Sequence, residues 1–336
     1  MAKSPTVYDV AQAAGVSIAT VSFTFSRPER VRPATREAVL AAAHALGYVP
    51  SASARGLAVG RTKSFGLIFW DGGTPPAGRF DEVNAGLRHF PRWVHEVQYG
   101  IERAAWRHGY AIMVGDGDAT DVDTTAVDIA GRVDGLVLLP RMLSPETLMR
   151  VAERIPVVSV TEGADDPHLN SITVDNRQGM TDLVRHLLEV HRIRSATFVG
   201  APDTADYRAR FAAFHDVLEQ AGVPAPGIPA PGVPALEDEG RPAAYVCRTD
   251  AEALDLLRAL RDSGIRVPED VIVTGFDGLA AGLISQPTLT SVRQPMYDLG
   301  VAAVELLLNR IADPESRAEH RVLPVELSVR RSCGCP

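Results

Sequence analysis

The spacing of apolar positions changes along the chain, and the first change marks off its head. Val7, Val10, Ala11 and Ala14 recur at i, i+3, i+4 and i+7, the stripe of one amphipathic helix. Thr6 stands before it as a cap and Gly15 after it as a stop. The turn Gly15-Val16 leads to Ser17, a good cap for a second helix over residues 18 to about 25, which "SRPER" then breaks. A third helix is predicted from Pro33 to Leu46, with proline in its first turn and Gly47 closing it. Two helices joined by so short a glycine turn form a helix-turn-helix, whose second helix fits a DNA major groove.

After Tyr48-Val49-Pro50 comes "SASARGLAVGRTKS", a small, basic linker. Residues 51–58 have room for two helical turns, but Gly56 weakens them by about 1 kcal/mol relative to alanine. So short a helix needs a partner to fold. From Ser64 the period shifts again. "FGLIFW", "YAIMVG", "GLVLLP" and "PVVSV" form one series, with a helix ending near Gly109 and another over 145–154. "SITV", "SATFVG", "AAYVC" and "VIVTGFD" form a second, with helices over 179–191, ending near Gly222, and over 251–264. Alternation of this kind predicts parallel sheets covered by helices on both faces. Two series predict two Rossmann-like lobes with a cleft between them. "GVPAPGIPAPGVPA" (222–235) is incompatible with helix or central strand, and reads as an extended surface loop with no binding role.

At 336 residues, 46% hydrophobic and 23% charged, the chain has ample material for more than one core. No apolar run approaches the roughly 18 residues that span a bilayer, so no membrane partner is expected. "MAKSPTVYDV" lacks the apolar core of a signal peptide. Three cysteines, Cys247, Cys333 and Cys335, are too few for a disulfide framework, which points to a reducing cytoplasm. The net charge of −8 is unevenly spread: residues 1–63 hold eight cations against three acids. A basic head on an acidic body suits a polyanion at the head and a different task in the body.

"GVSIATVSFTFSRP" sharpens that division. Phe23 and Phe25 lie two positions apart, so on a helix they cannot share one buried stripe. The head's "VYDVAQAAGVSIATVS", "TREAV" and "ALGYVP" resemble, in order and spacing, the DNA-binding headpiece of LacI/GalR-family bacterial regulators. In the body "TVDNRQGM", "SGIRVPEDVIVTGFDG", "PTLTSVRQPMYDLGVAAVELLLNRI" and "LPVELSVRRSC" are similar to the same family, so the resemblance covers essentially the whole chain. It implies a small all-α helix-turn-helix headpiece (1–50), a hinge helix and linker (51–63), and an α/β body of two Rossmann-like lobes (64–336). That body is of the type I periplasmic-binding-protein-like kind. The first lobe is expected over about 64–163 and 292–323, the second over about 164–291 and 324–336.

The resemblance implies an effector-responsive transcriptional regulator, a repressor of a carbohydrate-utilisation operon, acting as a homodimer on a palindromic double-stranded operator. Its reading positions carry over to Ile18, Ala19 and Phe23, with Thr20 and Ser22 beside them and Arg27 just beyond. Three apolar readers offer no bidentate hydrogen bonds to bases but can meet thymine methyl groups. Phe25 is assigned to the core and Phe23 to the outside, the alternative for Phe23 being packing on the third helix. Thr6 and Ser17 suit phosphate contact and helix capping alike. Leu57 matches the hinge leucine that wedges into the minor groove, with Ala54 and Arg55 on the preceding turn.

For a small effector, expected to be a sugar, the resemblance points to Arg210 and to Asp277 at a strand end. Asp250, Thr161, Phe69 and Trp70 are further candidates. Each has a structural alternative: capping for Asp250 and Asp277, a surface ion pair for Arg210, core packing for Phe69. Relatives carry a further strand and helix where this chain has its Pro/Gly repeat, which puts ligand binding by the second lobe in question. A dimer surface is expected near Trp93 to Trp106. Cys333-x-Cys335 has no second ligand pair visible in the sequence, so neither metal nor cofactor is expected. No phosphate loop, nucleophile elbow or paired-histidine motif suggests an enzyme. The alternative reading is a sugar-binding protein of the periplasmic type without a regulatory role.

Overall fold

The computed structural model describes residues 5–50, 61–69, 92–116, 122–139, 143–161, 169–224 and 241–336. The chain forms two compact units, residues 1–63 and 64–336.

The first unit is three helices, α1 (Val7–Ala14), α2 (Ile18–Ser26) and α3 (Pro33–Leu46), with a short 3-10 turn, Pro28–Arg30, between the last two. Their ends follow the local chemistry of the sequence. The Thr6 amide and hydroxyl both donate to the Asp9 carboxylate at 2.7 Å, and the Ser17 hydroxyl accepts the Thr20 amide at 3.2 Å. Gly15 and Gly47 end α1 and α3 in the left-handed conformation. Val10, Ala11, Val21, Val39 and Ala43 are the buried core, with Val7, Phe25 and Tyr48 packed around them.

The second unit holds two sheets. The first has β1 (Ser64–Phe69), β2 (Ala111–Asp116), β3 (Gly135–Leu139), β4 (Val157–Val160), β5 (Asn170–Val174) and β10 (His320–Leu323), in the order β10-β5-β4-β3-β1-β2, all parallel. The second has β6 (Ala196–Val199), β7 (Ala244–Cys247), β8 (Ile272–Asp277), β9 (Thr290–Arg293) and β11 (Glu326–Ser328), in the order β11-β9-β8-β7-β6. Only β11 runs antiparallel there.

The helices between the strands are α4 (Arg92–Arg107), α5 (Val122–Ala130), α6 (Pro145–Ala152), α7 (Asn176–Glu189), α8 (Ala205–Gln220), α9 (Asp250–Asp262), α10 (Ala280–Ile284) and α11 (Met296–Ala312). The pattern reading had no helix between "YAIMVG" and "GLVLLP", where α5 lies; its nine residues are shorter than a clear helical period needs. Helices α4 and α11 cross closely enough to require glycine at the contact. A Cβ on Gly100 would stand 2.1 Å from the Tyr297 carbonyl oxygen, and one on Gly300 2.1 Å from that of Val97.

The lobe boundaries differ from expectation at two of three crossings. β5 was assigned to the second lobe but pairs with β4 and β10 in the first. The change of lobe therefore falls at Asp175, which caps α7, and not at residue 163. Likewise β9 runs through Arg293 in the second sheet, so the return comes at Gln294-Pro295 and not at 292. A strand followed at once by a helix reads as one βα unit, and no local residue signals that the two belong to different lobes. The third crossing falls between Leu323, in the first sheet, and Glu326, in the second.

Candidate nucleic-acid interface and ligand site

Helix α2 divides cleanly into two faces. Val21 and Thr24 are buried, and the Phe25 ring lies 6.0 Å from the Tyr48 ring. Ile18, Ala19, Ser22 and Phe23 project the other way, with Ile18 42% and Phe23 40% exposed. Phe25 thus packs at the core, against Tyr48, and Phe23 lies on the outward face of the helix. Thr20 sits half-buried at the edge of this face, its hydroxyl 2.9 Å from that of Ser17. Arg27, exposed, ends the helix. Thr6 and Ser17 both act in helix caps. Ala54, Arg55 and Leu57 lie outside the described residues, as does Trp70.

In the body, one cavity lies where the carboxyl ends of both sheets meet. From the first lobe come Trp93 on α4 and Thr161 just past β4. From the second come Thr204, Asp206, Tyr207 and Arg210 at the start of α8 and Asp277 at the end of β8. Gln294, at the crossing between lobes, is the last of the described residues that line it. Arg210 is 3% exposed and is the electrostatic centre. Its Nε donates to Asn176 Oδ1 at 2.7 Å and its Nη1 to the Arg248 carbonyl at 2.6 Å. Nη1 is also 3.8 Å from Asp277 Oδ1. The guanidinium lies over the Phe276 ring at 3.7 Å.

Asp277 is held from two sides, by Gln294 Nε2 at 2.7 Å and the Asp250 amide at 3.4 Å. Burial, with Asp250 nearby, pushes its carboxyl up to about 8 against the pull of Arg210. Asp206 accepts the Thr173 hydroxyl at 3.0 Å, and burial raises it to about 6, again opposed by Arg210. Tyr207, between the guanidinium groups of Arg210 (5.2 Å) and Arg248 (4.4 Å), is raised to about 12 by burial. Two non-glycine residues of the rim have positive φ, Thr161 at 71° and Asp277 at 138°. Such backbone strain gathers where surrounding structure fixes a side chain for a task.

Of the predicted effector residues, the structure brings Arg210, Asp277 and Thr161 together. It places two others elsewhere. Phe69 is buried in the apolar core beneath the first sheet's helices and does not line the cavity. Asp250 is fully buried, its carboxylate taken by the Leu279 amide at 2.7 Å and the Ser291 hydroxyl at 2.6 Å. It braces the loop after β8 and does not face a ligand; nor does it cap α9, since Thr249 does that. The sequence reading missed Trp93, Thr204, Asp206, Tyr207 and Gln294. The Asp206, Tyr207 and Arg210 spacing on one predicted helix was a usable signal; Trp93 and Gln294 reach the site only through tertiary structure. Trp93 had been counted with the dimer surface, whereas the exposed aromatics of α4 are Tyr99 and Trp106.

Residues 6–51 match the pattern of bacterial regulatory proteins of the lacI family. Residues 89–228 match the periplasmic binding proteins and sugar binding domain of the LacI family, and 184–333 a periplasmic binding protein-like domain. The chain belongs to the LacI family.

The HTH-type transcriptional repressor PurR of Aliivibrio salmonicida is 27% identical over 344 residues, covering 97% of this chain and 98% of that protein. Catabolite control protein A of Priestia megaterium is 28% identical at the same coverage. Among solved structures, the lac repressor dimer bound to operator and the anti-inducer ONPF superposes with a TM-score of 0.80 at 24% identity, over 98% of this chain and 99% of that one. A complex of the regulator CelR with cellobiose gives 0.65 at 26%, at the same coverage. The LacI-family architecture accounts for both surfaces: a helix-turn-helix head with an outward α2 face, and a two-lobed body with its cavity at the strand ends. Among the described residues, no helix is long and apolar enough to cross a membrane.

Proposed function

We propose that this protein is a cytoplasmic transcriptional repressor that binds a palindromic operator as a homodimer and changes affinity when a polyhydroxylated small molecule of the sugar class enters the body cavity. The observation that carries the reading is the α2 face. A helix-turn-helix unit exposes Ile18, Ala19 and Phe23 beside Arg27, surface that a free-standing fold gains nothing by showing to water. Ile18, Ala19 and Phe23 read thymine methyl groups, Ser22 and Thr20 add local polar contacts, and Thr6, Ser17 and Arg27 lie against phosphates. Ala54, Arg55 and Leu57 serve the hinge in the minor groove.

The cavity suits a ligand with several hydroxyls and a flat or apolar face. Arg210 Nη2 has no described partner and is the donor left to a ligand, Asp277 and Asp206 accept, and Trp93 offers a ring to stack on. Ligands named for solved relatives include cellobiose and ribose, which supports the sugar class. Ligand binding shifts the lobes between two arrangements, and the operator selects one of them. Tyr99 and Trp106, 56% and 73% exposed, with Val114 on the edge strand β2, give the first lobe an apolar face fitted to a second copy. The reading assigns the body no catalytic step.

Fluorescence anisotropy tests it, with the full-length chain titrated onto palindromes from the DNA upstream of its own gene and onto scrambled duplexes. The expected result is salt-sensitive binding at least about 1,000-fold tighter to one palindrome. Equal affinity for palindrome and scramble contradicts the proposal.

A further inference from the structure

The sequence offered Cys333-x-Cys335 no second pair of ligands; the fold supplies one. His186 in the last turn of α7 and His191 just after it come up against the C-terminal tail. The ligand atoms of His186, His191, Cys333 and Cys335 all lie within 4.8 Å of one another.

The spacings match a tetrahedron. With Zn–N about 2.0–2.1 Å and Zn–S about 2.3 Å, its nitrogen–nitrogen edge is about 3.4 Å and its sulfur–nitrogen edges about 3.6 Å. The two Nε2 atoms are 3.2 Å apart. Cys333 Sγ is 3.6 Å from His186 Nε2, and Cys335 Sγ is 3.5 Å from His191 Nε2 and 3.8 Å from His186 Nε2. The His186 and His191 rings stand edge to face, centroids 5.0 Å apart, so both aim one nitrogen at a common point.

The tail is fixed before it reaches the histidines. Ser332 Oγ accepts the Thr290 amide at 2.8 Å, the Ser332 amide donates to the Thr288 carbonyl at 2.9 Å, and Arg330 Nη1 donates to the Leu289 carbonyl at 2.7 Å. Gly334, at φ +100°, then turns the chain so that both thiols face the histidine pair. Cys333 Sγ also lies 3.1 Å from the Arg330 carbonyl, the bond its thiol makes when protonated.

We propose that His186, His191, Cys333 and Cys335 bind a structural Zn²⁺ ion that clasps the C-terminal tail to the end of α7. Two thiolates and two imidazoles at tetrahedral spacing select zinc over the oxygen-loving Mg²⁺ and Ca²⁺. All four positions are filled by protein, which makes the site structural and not catalytic.

The test is metal analysis of the full-length chain, purified under reducing conditions without a polyhistidine tag. About one zinc per chain is expected, falling at least about tenfold in Cys335→Ser and in His191→Gln. Because either variant could fold poorly, wild-type protein stripped by a chelator is also titrated with Co²⁺. The strong visible bands of tetrahedral cobalt and a thiolate charge-transfer band are expected, together with protection of Cys335 from alkylation. Wild-type protein with under about a tenth of a zinc per chain and no cobalt bands overturns the proposal. So does zinc retained in the Cys335→Ser, His191→Gln double variant, or a Cys333–Cys335 disulfide in the reduced preparation.

Discussion

In the headpiece the outward side chains of α2 are small or apolar and stand on a capped, locally folded unit. In the body the cavity is built of a buried cation, two buried carboxyls and strained backbone, held by partners from several separate segments. A polyanion brings its own long-range attraction, so on the proposed function cations elsewhere on the head would supply affinity and leave the α2 surface free to read shape. A small uncharged ligand brings no such field. The groups that bind it must be fixed in advance, and desolvating them destabilises the empty protein.

The widest gap between the two regions is expected at Arg210. Arg210→Ala leaves Asn176 Oδ1 and the Arg248 carbonyl without their donor and removes the cation beside the buried Asp277 and Asp206, and each buried polar group left unpaired costs about 1–3 kcal/mol. Denaturant melting should show that loss in the body, and isothermal titration should show ligand affinity down at least about 100-fold. Binding to random DNA should not change.

The headpiece counterpart is Phe23→Ala. Since Phe23 is 40% exposed, stability should move by no more than about 0.5 kcal/mol. Specific operator affinity should fall about tenfold, with non-specific affinity unchanged, by anisotropy on matched duplexes. A large drop in melting temperature would make Phe23 a core residue and remove the contrast.

The pH response should separate the regions next. Asp277 and Asp206 are raised to about 8 and about 6 from an ordinary 3.8. The folded body therefore holds protons that the unfolded chain releases, so its stability falls as pH rises from about 4 to about 8. Asp277→Asn should flatten the upper part of that fall, read as denaturation midpoints across the pH range.

The smallest expected effect is local: Ser17→Ala removes the α2 cap and should cost the headpiece about 1 kcal/mol, seen by amide exchange, without altering ligand affinity.

The same contrast explains how much could be read from the sequence. The three α-helices of the headpiece were legible, because Thr6, Gly15, Ser17, Pro33 and Gly47 mark their ends within a few residues, while the short 3-10 turn Pro28–Arg30 read only as a break. The alternation of the body was legible too, but its lobe crossings at Asp175 and Gln294 were not, since a crossover is a property of the sheet and not of the residues at it. Of the cavity, Arg210 and Asp277 carried a family signal. Trp93 and Gln294 were not singled out for it, being brought in from segments about 200 residues apart that only the two-lobed topology joins. Asp250 misled for a related reason: an acid at a strand end reads the same whether it faces a ligand or ties down a neighbouring loop. His186 and His191 stayed hidden likewise until the C-terminal tail folded back beside them.

The claim that α2 reads DNA through apolar contact is tested most directly by replacing operator thymines with deoxyuracil, one at a time, which removes only the C5 methyl group. The account predicts that two or three such replacements per half-site each weaken wild-type binding by about 1 kcal/mol or more, and that Phe23→Ala or Ile18→Ala abolishes the sensitivity at its own position. Wild-type affinity that is indifferent to every thymine methyl would contradict it.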